Sequence, residues 1–347
     1  LHELIRTEAE KELDLQKDLM LRGQLAQLAD DVYVLSLTIH HIASDGWSVG
    51  LLLHEFQTIY RSLSSGQQPL LPPLPIQYVD YAHWQRTWFQ RETHLRYWQK
   101  QLAGIPDIHS LPADYPRPAV QNYQGALVES YLESELVLQL EMLGQEHGAT
   151  LFMTLQALFA LLLARYSHET DIVMGTPIAN RPHSDLHNLI GFFTNTLVLR
   201  TDLSGNPSFL ELLERVREVS LDAYAHQAMP YEMLVEQLQP RRNLSHSPVI
   251  QVVINVENEK PVESNVPGLT ITPMLPNMLA AKFDLVLSLK RRTDGALVAH
   301  WEYAAALFSQ STIERMAAHF EQLMRGILTQ PKQPIFHLPL LTPAESS

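Results

Sequence analysis

Residues Leu151–Ala164 form a run of fourteen that contains only two polar side chains, Thr154 and Gln156. Thr150, following Gly148, stands ready as an N-cap, so the run reads as a helix. A helix that is apolar on every side has to be covered on every side. It falls short of the roughly 20 apolar residues that span a bilayer. The run therefore predicts a core helix inside a folded domain. An apolar share of 46% over 347 residues supplies such a core, and the length fits about two compact units.

Punctuation sets the other elements around that helix. Val49–Leu63 predicts a helix with Leu52, Phe56, Ile59 and Leu63 inward, stopped by Ser64-Ser65-Gly66. Four prolines between Pro69 and Pro75 prevent its continuation. A second helix is predicted over Tyr81–Leu102, where Trp84, Trp88, Leu95, Trp98 and Leu102 form a packing stripe. Gly104–Gly125, with Pro106, Pro112, Pro116 and Pro118, reads as a crossover between lobes. Beyond it come strands at 126–132, 171–176, 196–200 and 249–256, and helices at 134–145, 151–166, 209–226 and 231–239. Residues 283–290 and 296–303 form a hairpin around Thr293-Asp294-Gly295, and Ser311 is expected to cap a last helix ending near Gly326. This mixture predicts an α/β (α+β) protein with one main sheet per lobe.

Charge and cysteine content exclude some functions. Asp and Glu outnumber Lys and Arg by 13, which disfavours a nucleic-acid footprint. The absence of cysteine rules out disulfides and thiol chemistry, and fits a reducing, cytoplasmic setting.

The segment with most chemistry is Thr38-Ile-His-His-Ile-Ala-Ser-Asp-Gly-Trp-Ser48. Val32–Ile39 alternates as a strand, with Tyr33, Leu35, Leu37 and Ile39 on one face. If the strand runs one step on, His41 continues the apolar face and His40 the other, which suits His41 to proton transfer near neutral pH. Opposite faces make joint metal chelation by the two histidines a poor fit, and no metal site is expected. Asp45-Gly46 is the expected turn, its carboxylate free to hold local backbone or a nearby arginine, and Gly46 leaves room for a turn dihedral or a close substrate.

His40-His41-Ile-Ala-Ser-Asp45-Gly46 resembles the HHxxxDG motif of the condensation domains of nonribosomal peptide synthetases, a superfamily shared with chloramphenicol acetyltransferase. Four more segments follow in family order. Tyr78-Val-Asp-Tyr-Ala-His-Trp84 resembles YxDYAxW, and Ile190-Gly-Phe-Phe-Thr-Asn-Thr-Leu-Val-Leu-Arg200 resembles IGxFVNTxxxR with Thr194 in place of valine. His226-Gln-Ala-Met-Pro-Tyr-Glu232 resembles HQDxPFE with Ala228 in place of aspartate, and Arg242–Pro248 loosely resembles RDxSRNPL.

The resemblance implies two chloramphenicol acetyltransferase-like lobes, each a mixed sheet flanked by helices, around a central cleft or tunnel. Residues 1–103 would be the remaining part of the first lobe, 104–125 the crossover, 126–336 the second lobe, and 337–347 the start of a linker toward an adenylation domain. The family's opening segments, SxAQxR and RHExLRTxF, are not found, so the first lobe is expected to be incomplete. The implied reaction is amide formation between an upstream aminoacyl or peptidyl thioester and a downstream aminoacyl thioester, both carried on the phosphopantetheine arms of peptidyl carrier proteins. His41 is implied as the catalytic residue, with His40 and Asp45 shaping the motif and the Gly46 N–H as an oxyanion donor. Trp47 and Asn195 are candidate substrate contacts, Trp47 with a second reading as packing at the helix start and Asn195 as an amide tying a loop to the sheet. Ser44–Ser48 and Arg181 after Ile178-Ala-Asn180 resemble the class that accepts L-configured donors. The alternatives are a noncatalytic scaffold that binds carriers, or an inactive fragment, and a coenzyme A-dependent acyltransferase; the linker-like tail and the lack of a basic cluster argue against the last.

Overall fold

The computed structural model describes residues 2–88, 91–238, 243–257, 266–272, 274 and 280–346. In chain order the elements are α1 (His2–Glu10), β1 (Leu21–Ala29), β2 (Val32–Ile39), α2 (Gly46–Ser64), α3 (Tyr78–Trp88), α4 (Arg91–Gln101), β3 (Gly125–Leu132), α5 (Ser134–Glu146) and α6 (Leu151–Ser167). They continue with β4 (Asp171–Ile178), β5 (Asn195–Asp202), α7 (Phe209–Ala225), α8 (Tyr231–Leu238), β6 (Val252–Glu257), β7 (Leu285–Arg291), β8 (Leu297–Ala304) and α9 (Gln310–Thr329). The expected helix residue Gln239 and Arg242 of the loosest motif lie outside the described residues.

The chain divides into two units that are both discontinuous in sequence. One comprises Leu1–Phe89, Ala179–Thr194 and Lys260–Met278; the other Gln90–Ile178, Asn195–Glu259 and Leu279–Ser347. The expected division near residue 103 thus falls at 89/90, and the excursion from the end of β4 to the start of β5 belongs to the first unit. Of the helix expected over Tyr81–Leu102, the described residues form α3 as far as Trp88 and α4 from Arg91. Tyr81 on α3 is buried in the first unit, whereas Trp98 on α4 and Leu102 just beyond it are buried in the second.

The second unit is built on a six-stranded mixed sheet of order β3-β8-β7-β6-β4-β5. β6 runs parallel to β4 and β7, and the remaining pairs are antiparallel. The β7–β8 hairpin turns at Gly295, whose φ of 86° is one that side chains resist. Alternation decides what faces the core. Val128 and Leu132, Leu285, Leu287 and Leu289, and Leu297, Ala299 and Trp301 are buried, while Leu127, Glu129 and Tyr131 are exposed on the opposite face.

Helix α6 fills this core as its composition demands, with Leu155 and Ala157–Leu163 wholly buried and the Thr150 hydroxyl accepting from the Met153 N–H. Phe159, Trp301 and Phe320 meet edge-on with centroids 5.6–6.4 Å apart, the arrangement that aromatic quadrupoles favour. The cap of α9 is Ser309, two residues before the expected Ser311, since the Ser309 hydroxyl receives the Thr312 N–H and the helix runs on to Thr329. No single helix among the described residues is long and apolar enough to cross a membrane; α5 and α6 together pass only as a pair bent by 104°.

In the first unit, β1 and β2 pair antiparallel from Leu21↔Ile39 to Ala29↔Val32. Helix α1 lies against the polar face of this ribbon, where Glu8 pairs with Arg22 at 2.8 Å and accepts from Gln24. The apolar face expected to be interior, with Tyr33, Leu35 and Leu37, is exposed, as are Leu21 and Leu25 across from it. The strand also ends at Ile39, so His41 is not delivered by a continuing strand.

Candidate functional site: a braced histidine loop

His40 ends the strand geometry and caps a single 3₁₀ turn, His41–Ala43, its Nδ1 accepting the Ile42 N–H at 3.1 Å. His41 opens that turn. Its Nδ1 lies 2.6 Å from the Ser44 carbonyl oxygen, and a carbonyl can only accept. The neutral imidazole must therefore carry its hydrogen on Nδ1 and hold the lone pair on Nε2. Phe192 meets the ring edge-on at 4.9 Å, and His41 is otherwise exposed. The turn thus presents an oriented proton acceptor on short, constrained backbone.

Asp45 is the brace. It is the N-cap of α2, with Oδ1 accepting from the Ser48 N–H at 2.8 Å, and Oδ2 accepts from the Phe193 and Thr194 N–H groups at 2.9 and 3.2 Å. Arg181 donates to the same carboxylate at 3.3 Å, and both side chains are almost wholly buried. Burial alone would push the Asp45 carboxyl upward; hydrogen bonds from Ser48 and Phe193, with Arg181 beside it, hold it below the ordinary range. Burial pulls the Arg181 guanidinium down, opposed chiefly by Asp45. Arg181 also donates to the Leu186 and Leu189 carbonyls and to Ser48 Oγ, and its guanidinium lies 3.9 Å from the Phe193 ring centre. Ser48 closes the loop, donating to the Gly191 carbonyl at 2.8 Å and accepting the Gly191 N–H.

Helix α3 backs the 190–194 segment. Tyr78 donates to the Phe192 carbonyl at 2.7 Å, and Tyr81 packs on Phe193 with Leu186 and Leu189. Burial pushes the Tyr81 phenol up to about 12, and its oxygen accepts from Asn180. Three of the five sequence segments therefore converge here: 40–46, 78–84 and 190–194. The convergence explains Gly191, because a Cβ there would sit 2.7 Å from Tyr78 Cε2. Gly191→Ala is expected to cost about 1–3 kcal/mol, as overpacking does, and to lower the melting temperature; unchanged melting would show that the ring moves aside freely.

One expectation, the turn dihedral at Gly46, changes. Gly46 occupies the first helical position of α2 without a positive φ, and an added Cβ would meet nothing within 4 Å. What it offers is open space before a helix N-terminus, not a special turn. The Trp47 indole N–H is engaged locally, donating to the His187 carbonyl at 2.9 Å.

In the second unit Asn195 is likewise committed locally. Its amide donates to the Gln227 and Met229 carbonyls, and its oxygen accepts the Tyr231 N–H, tying β5 to the turn before α8. That is the loop-tying role. His226 of the same turn lies on the Tyr97 ring at 4.0 Å, and its Nδ1 is 3.0 Å from that of His94. Burial, with His226 adjacent, pulls the His94 imidazole down. Sequence reasoning left Arg181 without this role, because a partner 136 residues from Asp45 gives no local signal; only the rule that a buried carboxylate needs a counter-charge points to it.

A family model described as Condensation domain matches residues 1–347. The chain belongs to the condensation-domain family. A linear gramicidin synthase of Brevibacillus parabrevis is 46% identical over 96% of this chain, and malpinin synthetase of Mortierella alpina 42% over 97%. The chain spans only 7% and 4% of those relatives' lengths. Among solved structures, the X-domain from teicoplanin biosynthesis matches with a TM-score of 0.89 and 30% identity, covering 96% of this chain and 78% of that one. A four-domain nonribosomal peptide synthetase bound to AMP and glycine matches at 0.89 and 24% identity, covering 99% of this chain and 27% of that one, which bears on the fold alone. The six-stranded mixed sheet flanked by helices is accordingly the chloramphenicol acetyltransferase-like fold of condensation domains.

Proposed function

We propose that this condensation domain joins an upstream aminoacyl or peptidyl thioester to the amine of a downstream aminoacyl thioester, each tethered to a carrier protein's phosphopantetheine. The observation that carries this reading is the His41 Nδ1 contact with the Ser44 carbonyl, which leaves Nε2 as a proton acceptor. The amine nitrogen attacks the thioester carbonyl carbon, the carbon–sulfur bond breaks, and the acceptor keeps the new amide. His41 Nε2 takes the proton leaving the nitrogen and passes it to the departing thiolate. Because an amine is already a good nucleophile toward a thioester, positioning is half of this role: a hydrogen bond to Nε2 orients the amine and removes part of the entropic barrier. The Gly46 N–H, at the positive end of α2, would meet the charge building on the thioester oxygen.

The names of the relatives support this setting, since several belong to linear gramicidin synthase. In it the partners are an upstream donor carrier, a downstream acceptor carrier and an adenylation domain in the same polypeptide, in a cytoplasmic enzyme. Ser44–Ser48 and Arg181 support an L-configured donor through their resemblance to that class. A second reading, a module that binds a partner protein without catalysis, draws on the related X-domain, one structure of which is a complex with OxyB. Mixing the protein with loaded donor and acceptor carriers, and weighing the acceptor carrier intact, decides between them. The acceptor is expected to gain the mass of the donor's acyl group; carriers that bind but never react would favour the second reading.

A further inference from the structure

The segment after α9 is fastened along its length to the second unit. Ile335 donates its N–H to the Pro207 carbonyl and Phe336 to Asn206 Oδ1, and Ile335 and Leu338 are buried. Arg165 on α6 donates to the Leu338 carbonyl at 2.9 Å. Pro339 lies so close to α9 that a Cβ at Gly326 would be 3.0 Å from its Cδ.

The last hold is chemically distinct. His319 on α9 is buried, with 5% of its side chain exposed. Its Nδ1 is 2.7 Å from the Tyr166 hydroxyl and its Nε2 2.9 Å from Glu345 Oε2. A carboxylate accepts, so Nε2 carries the hydrogen, and in the neutral ring Nδ1 accepts from Tyr166. The same Glu345 oxygen receives the Thr342 N–H at 2.9 Å and its hydroxyl at 2.8 Å, while the Glu345 and Ser346 N–H groups return to the Thr342 carbonyl. Thr342-Pro343-Ala344-Glu345 therefore has the sequence of a helix start, with threonine as N-cap, proline at the first position and glutamate at the third.

We infer that Tyr166, His319 and Glu345 form a clasp that locks residues 340–346 onto α6 and α9 as a capped first turn, fixing the direction in which the polypeptide leaves this unit. The clasp stands on the fold; its use, holding a neighbouring domain of a multidomain synthetase at one attitude, rests on the function proposed above. The groups that face it are Tyr166 from α6, Arg315 from α9, which hydrogen-bonds Tyr166, and Thr342 from the segment itself. Bonds from Thr342 and His319 hold the Glu345 carboxyl down to about 2. Its contribution is complete above the ordinary glutamate range of about 4.3 and is lost as pH falls toward about 2, so the clasp stays shut at neutral pH.

Hydrogen exchange of the intact protein, followed on peptides covering 334–338 and 340–346, tests this without any catalytic readout. Wild type is expected to protect both stretches. Glu345→Ala, a change at the surface end of the clasp, is expected to speed exchange in 340–346 at least tenfold and leave 334–338 as before. No protection of 340–346 in wild type, no change in the variant, or equal loosening of both stretches would each overturn the clasp.

Discussion

Asp45→Ala is expected to destabilise the protein by about 3–5 kcal/mol, the range for breaking a buried ion pair by removing one partner. Three losses combine. Arg181 is left as a buried cation without its counter-charge, the Phe193 and Thr194 N–H groups lose their acceptor, and α2 loses its cap. Arg181→Met removes the other partner and is expected to cost less, since the Asp45 carboxylate keeps the three backbone donors of Ser48, Phe193 and Thr194. The double variant should fall short of the sum of the two, because each single change already breaks the shared contact. Acid reads the same brace. A carboxyl held below its ordinary range stabilises the fold above about pH 3.9 and loses that contribution as pH falls, so wild type and Asp45→Ala should converge in acid. Denaturant melts of the variants measure all of this; an unaltered melt with lost activity would move Asp45 into the chemistry.

His41→Ala should behave in the opposite way. The side chain is exposed and its main contacts are one backbone carbonyl and the edge of Phe192, so stability should change by no more than about 0.5 kcal/mol. Peptide-bond formation at saturating loaded carriers should drop at least about tenfold, the smaller end of proton-transfer and positioning effects. The Ser44 carbonyl also makes the tautomer specific, so a replacement that only fills the volume is not expected to restore the rate.

Local signals carried most of the second unit. The apolar run 151–164, its Thr150 cap and the 283–303 hairpin are written in contiguous residues, and the structure places them within a residue or two of expectation. Local signals misled where a competing one lay nearby. Ser309 precedes α9 and Ser311 lies in its first turn, and only the geometry toward the Thr312 N–H selects the former as the cap. The stripe from Trp84 to Leu102 is continuous in helical phase, yet Trp84 is exposed on the first unit while Trp98 and Leu102 are buried in the second, and periodicity says nothing of that. The functional loop was legible as a motif but not as a machine. The strand reading placed His40 and His41 on opposite faces, whereas His40 caps and His41 opens a 3₁₀ turn just before Asp45, and Asp45 is held by Arg181, Phe193 and Thr194. Such bonds span more than 130 residues and leave no trace in spacing. The Glu345–His319 clasp was hidden too, since spacing does not mark a bond between residues 26 apart, although Thr342–Glu345 carries a visible capping pattern.

The central claim is a division of labour: Asp45 and Arg181 hold the loop, and His41 acts on the reacting amine. Single-turnover condensation on loaded carriers, run beside a denaturant melt on His41→Ala, tests it most directly. The account predicts a native melt with a rate at least about tenfold below wild type. A native melt with an undiminished rate would contradict it.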